Sequence, residues 1–137
     1  RSDDVINVSG HRIASSEIES ISLSIDKVNE ACAVSRNNEI SGCKVILFIS
    51  TNIDSESEKS RLIDSLKKKI RLKLSNYHIP QDIYFFDSLP KTRSGKIMRR
   101  IMRIIANGEF FDESQDFSTL LNKKEFINSL EKFKLAV

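Results

Sequence analysis

Lys44-Val-Ile-Leu-Phe-Ile-Ser50 holds the longest apolar run in the chain, Val45 to Ile49, and its reading decides the fold. The run is far shorter than the roughly 20 residues a membrane-spanning helix needs, and it is rich in β-branched and aromatic side chains, so it reads as a buried strand. A loop of Ser, Asp and Asn follows, and then Ser55 and Glu58 stand at the spacing of a helix capping box. The helix they announce carries Leu62, Leu66, Ile70 and Leu74 in an i,i+4 row, turns its lysines outward and ends before Pro80. Asp82 to Phe86 reads as another strand, broken by Leu89-Pro90. Strand, amphipathic helix and strand in succession predict a small sheet covered by helices, an α+β domain.

Working outward, Ala31 to Val34 is a strand candidate, separated from Lys44 to Ser50 by the turn-prone Asn37-Asn38 and Ser41-Gly42. Further upstream, Asp4-Val-Ile-Asn-Val-Ser-Gly-His-Arg-Ile13 has Val and Ile on both sides of Ser9-Gly10, the pattern of an N-terminal hairpin turning at the glycine. Ser16 and Glu19 have capping-box spacing, and Ile18, Ile21, Ile25 and Val28 predict one helical stripe behind them. Downstream, Ser94-Gly95 is a polar turn ahead of a helix over Lys96 to Asn107. Its Ile97, Ile101, Ile104 and Ile105 mark one face, Lys96, Arg99 and Arg103 the other, and Gly108 is the stop. A last helix is expected over Lys123 to Phe133, within a tail, 109–137, of weaker periodicity.

The chain has 137 residues, 39% hydrophobic and 30% charged, which suits one compact domain with a modest core. Arg1, with no basic start, apolar stretch and cleavage site after it, reads as the opening of a piece excised from a longer protein. Cys32 and Cys43 are the only cysteines, too few for a disulfide scaffold, and His11 and His78 form no paired-ligand pattern. No metal site and a reducing, intracellular setting are therefore expected. The net charge is only +3, yet the cations cluster: Lys67, Lys68, Lys69, Arg71 and Lys73 in one group, Lys91, Arg93, Lys96, Arg99, Arg100 and Arg103 in another. Such clusters suit phosphate-bearing partners.

The chemistry concentrates in Leu89-Pro-Lys-Thr-Arg-Ser-Gly-Lys-Ile-Met-Arg-Arg100. A lysine directly after a Ser-Gly turn is presented rather than packed, and its ammonium can reach charge developing on phosphate or carboxylate oxygens. By residue type alone, the same pattern also describes an ordinary exposed lysine at a turn. The stretch resembles the final signature motif of the adenylate-forming superfamily, which includes AMP-forming acyl-CoA synthetases, firefly luciferases and peptide-synthetase adenylation domains. Arg1-Ser-Asp-Asp-Val-Ile-Asn-Val-Ser-Gly-His-Arg12 resembles the same superfamily's hinge motif, and the two occur in the right order, a domain's length apart. Within the superfamily, Val8 to Arg12 and Lys91 to Lys96 resemble the acetyl-CoA synthetase branch more than medium- or long-chain ligases. The resemblance covers nearly the whole chain and is loosest after Gly108.

That resemblance implies a mobile C-terminal domain spanning 1–137, with the hinge at 1–4, the signature motif at 89–100 and a large N-terminal domain absent. It implies two half-reactions. Acetate attacks the α-phosphate of ATP to give acetyl-AMP and pyrophosphate; then, after the small domain rotates, the thiol of CoA attacks acetyl-AMP. By motif match, Lys96 would be the catalytic cation of the first step and Asp3 the hinge residue. Arg1 and Arg12 would contact the nucleotide, Gly10 would line the path of the pantetheine arm of CoA, and Arg71 would contact the CoA nucleotide. ATP, CoA and the Mg2+ that accompanies ATP would be substrates or substrate-associated, with no permanently bound cofactor. The isolated domain would be inactive, since phosphate loop, acetate pocket and adenine site belong to the large domain. The resemblance further implies control of Lys96 by an acetyltransferase and a sirtuin deacylase, in the cytoplasm or the nucleus. Propionate remains an alternative acyl substrate, and a carrier protein an alternative acceptor.

Two readings from other classes start from the basic residues. A nucleic-acid-binding module would use both cation clusters, but it would need clustered exposed aromatics or a recognition-helix motif, and the sequence offers neither. A cationic amphipathic helix over Lys96 to Asn107 could serve a membrane or calmodulin, a reading that burial of Ile101 and Ile105 would close.

Overall fold

A computed structural model describes residues 5–38, 42–108 and 123–136. The fold is α+β: β1 (Val5–Val8), β2 (His11–Ala14), α1 (Ser15–Leu23), β3 (Glu30–Asn38), β4 (Gly42–Ser50), α2 (Glu56–Lys73), a 3-10 turn (Asn76–His78), β5 (Asp82–Phe86), α3 (Arg99–Ala106) and α4 (Lys123–Ala136). β4 is the centre of the sheet. One of its edges pairs antiparallel with β3 along the whole strand, from Glu30↔Ser50 to Asn38↔Gly42. The other meets β1 at Val8↔Gly42 and then runs parallel to β5 from Ile46↔Asp82 to Ser50↔Phe86. A parallel partner needs a crossover connection, and α2 supplies it.

Both faces of β4 are covered, which is why its sequence is a continuous apolar run rather than an alternating one. On one face Ala31, Ala33, Val45, Leu47 and Ile49 pack with Ile6 and Ile13 of the hairpin, Ile18 of α1 and Leu62, Leu66 and Ile70 of α2. On the other, Cys32, Val34, Ile46 and Phe48 meet Phe86, then Ile101, Met102 and Ile105 of α3 and Phe126 and Leu130 of α4. Ile101 and Ile105 are thus core residues, which closes the membrane and calmodulin reading of this helix. The free edge of β3 is blunted by side chains: Asn107 accepts from the Asn37 N–H at 2.9 Å and donates to the Ser35 carbonyl at 2.9 Å.

Several sequence expectations hold. Ser55 caps α2, accepting from the Glu58 N–H, and β5 covers Asp82–Phe86 as read. The Ser9-Gly10 turn is a hairpin turn with both residues at positive φ, 50° and 85°. Others need correction. Ser16 does not cap α1; the helix starts at Ser15 behind Ala14, without a side-chain cap, and the Glu19 carboxylate turns to partners distant in sequence. The helix stops at Leu23, so Ile25 and Val28 join the core from the loop after it. Leu74 likewise follows α2 rather than ending it. Asn37 and Asn38 lie within β3, paired to Cys43 and Gly42, instead of forming a turn. Most of the tail, 109–122, lies outside the described residues.

Cys32 is buried between β3 and α3, and that burial, reinforced by the Glu19 carboxylate and opposed by Arg99, pushes its thiol far above the usual range. Cys43 is only half-buried. Since the thiolate is the reactive form, iodoacetamide at pH 8 is expected to label Cys43 in the folded protein and Cys32 only after denaturation, read by peptide mapping. Labelling of Cys32 in the folded state would contradict this packing.

Candidate functional site

The segment after β5 is built as a small rigid loop. Ser50 Oγ donates to the Asp87 carbonyl at 3.1 Å and the Asp87 N–H donates to Ser129 Oγ at 3.1 Å, tying its start to β4 and α4. Leu89 and Pro90 are buried. Lys91 and Ile97 then form an antiparallel bridge, closed by Thr92 N–H to Lys96 O and Gly95 N–H to Thr92 O, both 2.9 Å, with Met98 N–H to Pro90 O at 2.9 Å behind them. Gly95 turns the tip at φ 89°, a left-handed conformation that calls for glycine, and among the described residues a Cβ there would meet nothing within 4 Å. Thr92 Oγ1 shares a hydrogen bond with Ser94 Oγ and accepts the Lys96 N–H, so the tip is cross-braced by hydroxyls.

Lys96 therefore sits on a loop tip and not, as its sequence suggests, at the first turn of a helix. α3 begins at Arg99, because the backbone of the preceding residues is committed to the bridge and to Pro90. Arg93 to Lys96 are exposed, and among the described residues no carboxylate pairs with the Lys96 ammonium. Arg99, expected on an exposed basic face, is instead half-buried. Its Nε donates to Glu19 Oε2 at 3.0 Å and its Nη2 to Glu19 Oε1, while Glu19 Oε2 also accepts from the Ala33 N–H at 2.9 Å. At the other end of the loop, Glu30 Oε1 accepts from the Leu89 N–H at 3.1 Å and Oε2 pairs with the Lys91 ammonium, which also donates to the Leu89 carbonyl at 3.0 Å. Glu19 was readable only as a cap and Glu30 not at all, because their partners lie far along the chain.

Gly10 and Arg12 occupy a second exposed surface, the β1–β2 turn. Among the described residues, no heavy atom beyond its chain neighbours lies within 4 Å of a Cβ built on Gly10. His11 stacks on Tyr77 at 3.8 Å between ring centroids, which pins the hairpin to the segment following α2. Arg71 is exposed near the end of α2, in an open cleft with Lys67, Lys68, Asp64 and Ile79. Arg1 and Asp3 lie outside the described residues.

The two surfaces are far apart. The hairpin turn lies beyond the Gly42 end of β4, through Val8↔Gly42, whereas the Lys96 loop leaves β5 at the Ser50 end, through Phe86↔Ser50, and is held by Glu30, itself paired to Ser50. From Gly42 to Ser50 the nine-residue strand spans on the order of 27 Å at a rise of about 3.4 Å per step. Among the described residues no group of three or more His, Cys, Asp or Glu side chains is arranged to hold a metal ion, and no helix is long and apolar enough to cross a membrane.

A small sheet covered by helices in this way matches the C-terminal domain of adenylate-forming enzymes. The profile of the AMP-binding enzyme C-terminal domain family matches residues 17–96, and the chain belongs to that family. It is similar to an acetyl-coenzyme A synthetase of Pasteurella multocida, 46% identical over 89% of this chain and 19% of that protein. It is also similar to acetyl-coenzyme A synthetase 2 of Debaryomyces hansenii, 35% identical over 97% of this chain and 21% of that one. The chain thus spans about a fifth of the length of these curated relatives. Among solved structures, a Brucella canis acyl-CoA synthetase superposes with a TM-score of 0.67 at 34% identity, over 77% of this chain and 19% of the other.

Proposed function

We propose that this chain is the mobile C-terminal domain of an AMP-forming acetyl-CoA synthetase, presenting Lys96 to one half-reaction and the Gly10 hairpin to the other. The observation that carries the reading is the separation of the two surfaces along β4: on one rigid body, both cannot face a single active site at once. In the first half-reaction an acetate oxygen attacks the α-phosphorus of ATP, the bond to pyrophosphate breaks, and the Lys96 ammonium neutralises charge on the oxygens being drawn together. ATP brings its Mg2+ with it. Rotation about a hinge at Asp3 then withdraws the lysine and turns the hairpin inward. The CoA sulfur attacks the acetyl carbonyl, AMP leaves, and the exposed turn at Gly10 lets the pantetheine arm run close to backbone. Arg12, with Arg1, would contact the nucleotide, and Arg71, on the cationic end of α2, would hold the CoA nucleotide.

The remaining parts of the site would come from a large N-terminal domain. Acyl selectivity would be set there, so propionate stands beside acetate as substrate. Lys96 is accessible to a modifying enzyme, and acetylation would replace its charge with a neutral amide; an acetyltransferase and a sirtuin deacylase are the partners this implies. The exposed cations of α2 suit a nucleotide phosphate, and this reading assigns them one in place of a nucleic acid.

The test compares this chain with the full-length protein in acetate, ATP and CoA. The chain alone is expected to form no acetyl-CoA, and the full-length protein to release pyrophosphate and then acetyl-CoA with free CoA as acceptor. Turnover by the chain alone, or transfer only to a phosphopantetheinyl protein, would refute the assignment.

A further inference from the structure

We propose that Glu30, with Glu19, is a positioning residue for Lys96: the two carboxylates grip opposite ends of the loop and fix where its tip points. The proposal rests on the adenylation role of Lys96. Among the described residues, the loop meets the scaffold's acidic side chains at its two ends. At the entry, Glu30, the first residue of β3, binds both the Leu89 N–H and the Lys91 ammonium, and Lys91 is one half of the bridge that closes the loop. At the exit, Glu19 of α1 holds Arg99, the first residue of α3, while its Oε2 also takes the Ala33 N–H of β3.

Both grips are largely covered, the Glu30 and Lys91 side chains being 20% and 23% exposed and those of Glu19 and Arg99 13% and 28%. They therefore hold geometry more firmly than surface ion pairs, which water and salt loosen. Among the described residues, the tip between them is braced by its own hydroxyls and backbone. The direction of the Lys96 stem is consequently set at the base of the loop. The lysines of the motif then divide the work: Lys91 is committed to Glu30 and Lys96 is displayed.

Displacing a catalytic group by about 1 Å can lower a rate by roughly 100-fold, so a partial loosening should be visible in the rate of one step. Glu30→Gln is the informative variant in the full-length protein. Its amide oxygen can still accept from Leu89, but its NH2 meets the Lys91 ammonium donor to donor. Adenylation, followed as pyrophosphate release, is expected to fall in kcat by about tenfold with little change in KM for acetate or ATP. Thioester formation from supplied acetyl-AMP should be unchanged. Lys91→Met should also slow adenylation selectively, and the double variant should be slowed by clearly less than the product of the two single effects, since the Glu30–Lys91 pair is common to both.

Lys96→Ala, run alongside, separates the two levels of the argument. If it abolishes adenylation while Glu30→Gln leaves that step intact, the positioning role is wrong and the catalytic one stands. If Glu30→Gln slows both half-reactions equally, Glu30 merely supports the fold and the proposal fails. If Lys96→Ala itself spares adenylation, the underlying reading fails and takes this one with it.

Discussion

Replacing Lys96 with alanine in the full-length protein is expected to lower the rate of acetyl-AMP formation by about 100- to 1000-fold, the usual loss when one preorganised donor to a developing anion is removed. The thioester step should survive, because the surface it would use lies at the other end of β4. The substitution should also leave the fold untouched. Lys96 is exposed, and its N–H to Thr92 Oγ1 and its carbonyl from the Thr92 N–H are backbone interactions that alanine keeps. Pyrophosphate release and conversion of supplied acetyl-AMP, measured separately, give the two rates. Equal loss in both would assign Lys96 a structural role; no loss in the first would remove it from the chemistry. Lys96→Arg makes a sharper version: it retains the charge but replaces a compact ammonium with a planar fork, and should recover only part of the rate.

How much of this was legible in the sequence depended on the range of the interactions involved. Local rules sufficed where the determining contacts are local. Ser9-Gly10 dictated a hairpin turn through backbone torsion, Ser55 dictated the start of α2 through its own neighbour Glu58, and Val45 to Ile49 announced a strand with no solvated face. The failures share a cause. Ser16 and Glu19 have the spacing of a capping box, yet an ion pair with Arg99 and a backbone N–H of an edge strand outbid that local use of Glu19. α3 appeared to begin at Lys96 because its apolar periodicity does, Ile97 included. Pro90, well upstream, takes the Met98 N–H and delays the helix to Arg99. Asn37 and Asn38, turn-formers by type, extend β3 because pairing with β4 and the Asn107 amide satisfy their backbone. At the site, Lys96 and Gly10 could be nominated from motif resemblance, but their separation along β4 required the strand register. Glu30 was invisible, since nothing near it in sequence says that its partner is Lys91.

The second large effect concerns the scaffold that carries both surfaces. Phe48→Ala is expected to destabilise the domain by about 3–5 kcal/mol, the range for deleting a buried aromatic ring. Phe48 is fully buried in the second half of β4, with the rings of Tyr84, Phe86 and Phe133 at 5.8, 5.6 and 6.3 Å. Those neighbours belong to β5 and α4, so the cavity would sit at the junction of sheet and helix layer, where Ile101 and Phe126 are also packed and collapse is hindered. Against a typical total of about 5–15 kcal/mol, a loss of that size leaves little margin. Urea unfolding of the chain should show a lower midpoint with an unchanged slope, whereas Leu72→Ser, at a site 69% exposed on α2, should move stability by no more than about 0.5 kcal/mol. The functional signature should differ from that of Lys96→Ala. A loosened core moves the lysine loop and the hairpin together, so near its melting temperature the Phe48→Ala enzyme should lose both half-reactions in parallel. A selective loss of adenylation, or a midpoint shift as small as that of Leu72→Ser, would mean that the aromatic cluster does not hold the β5 side of the sheet as described.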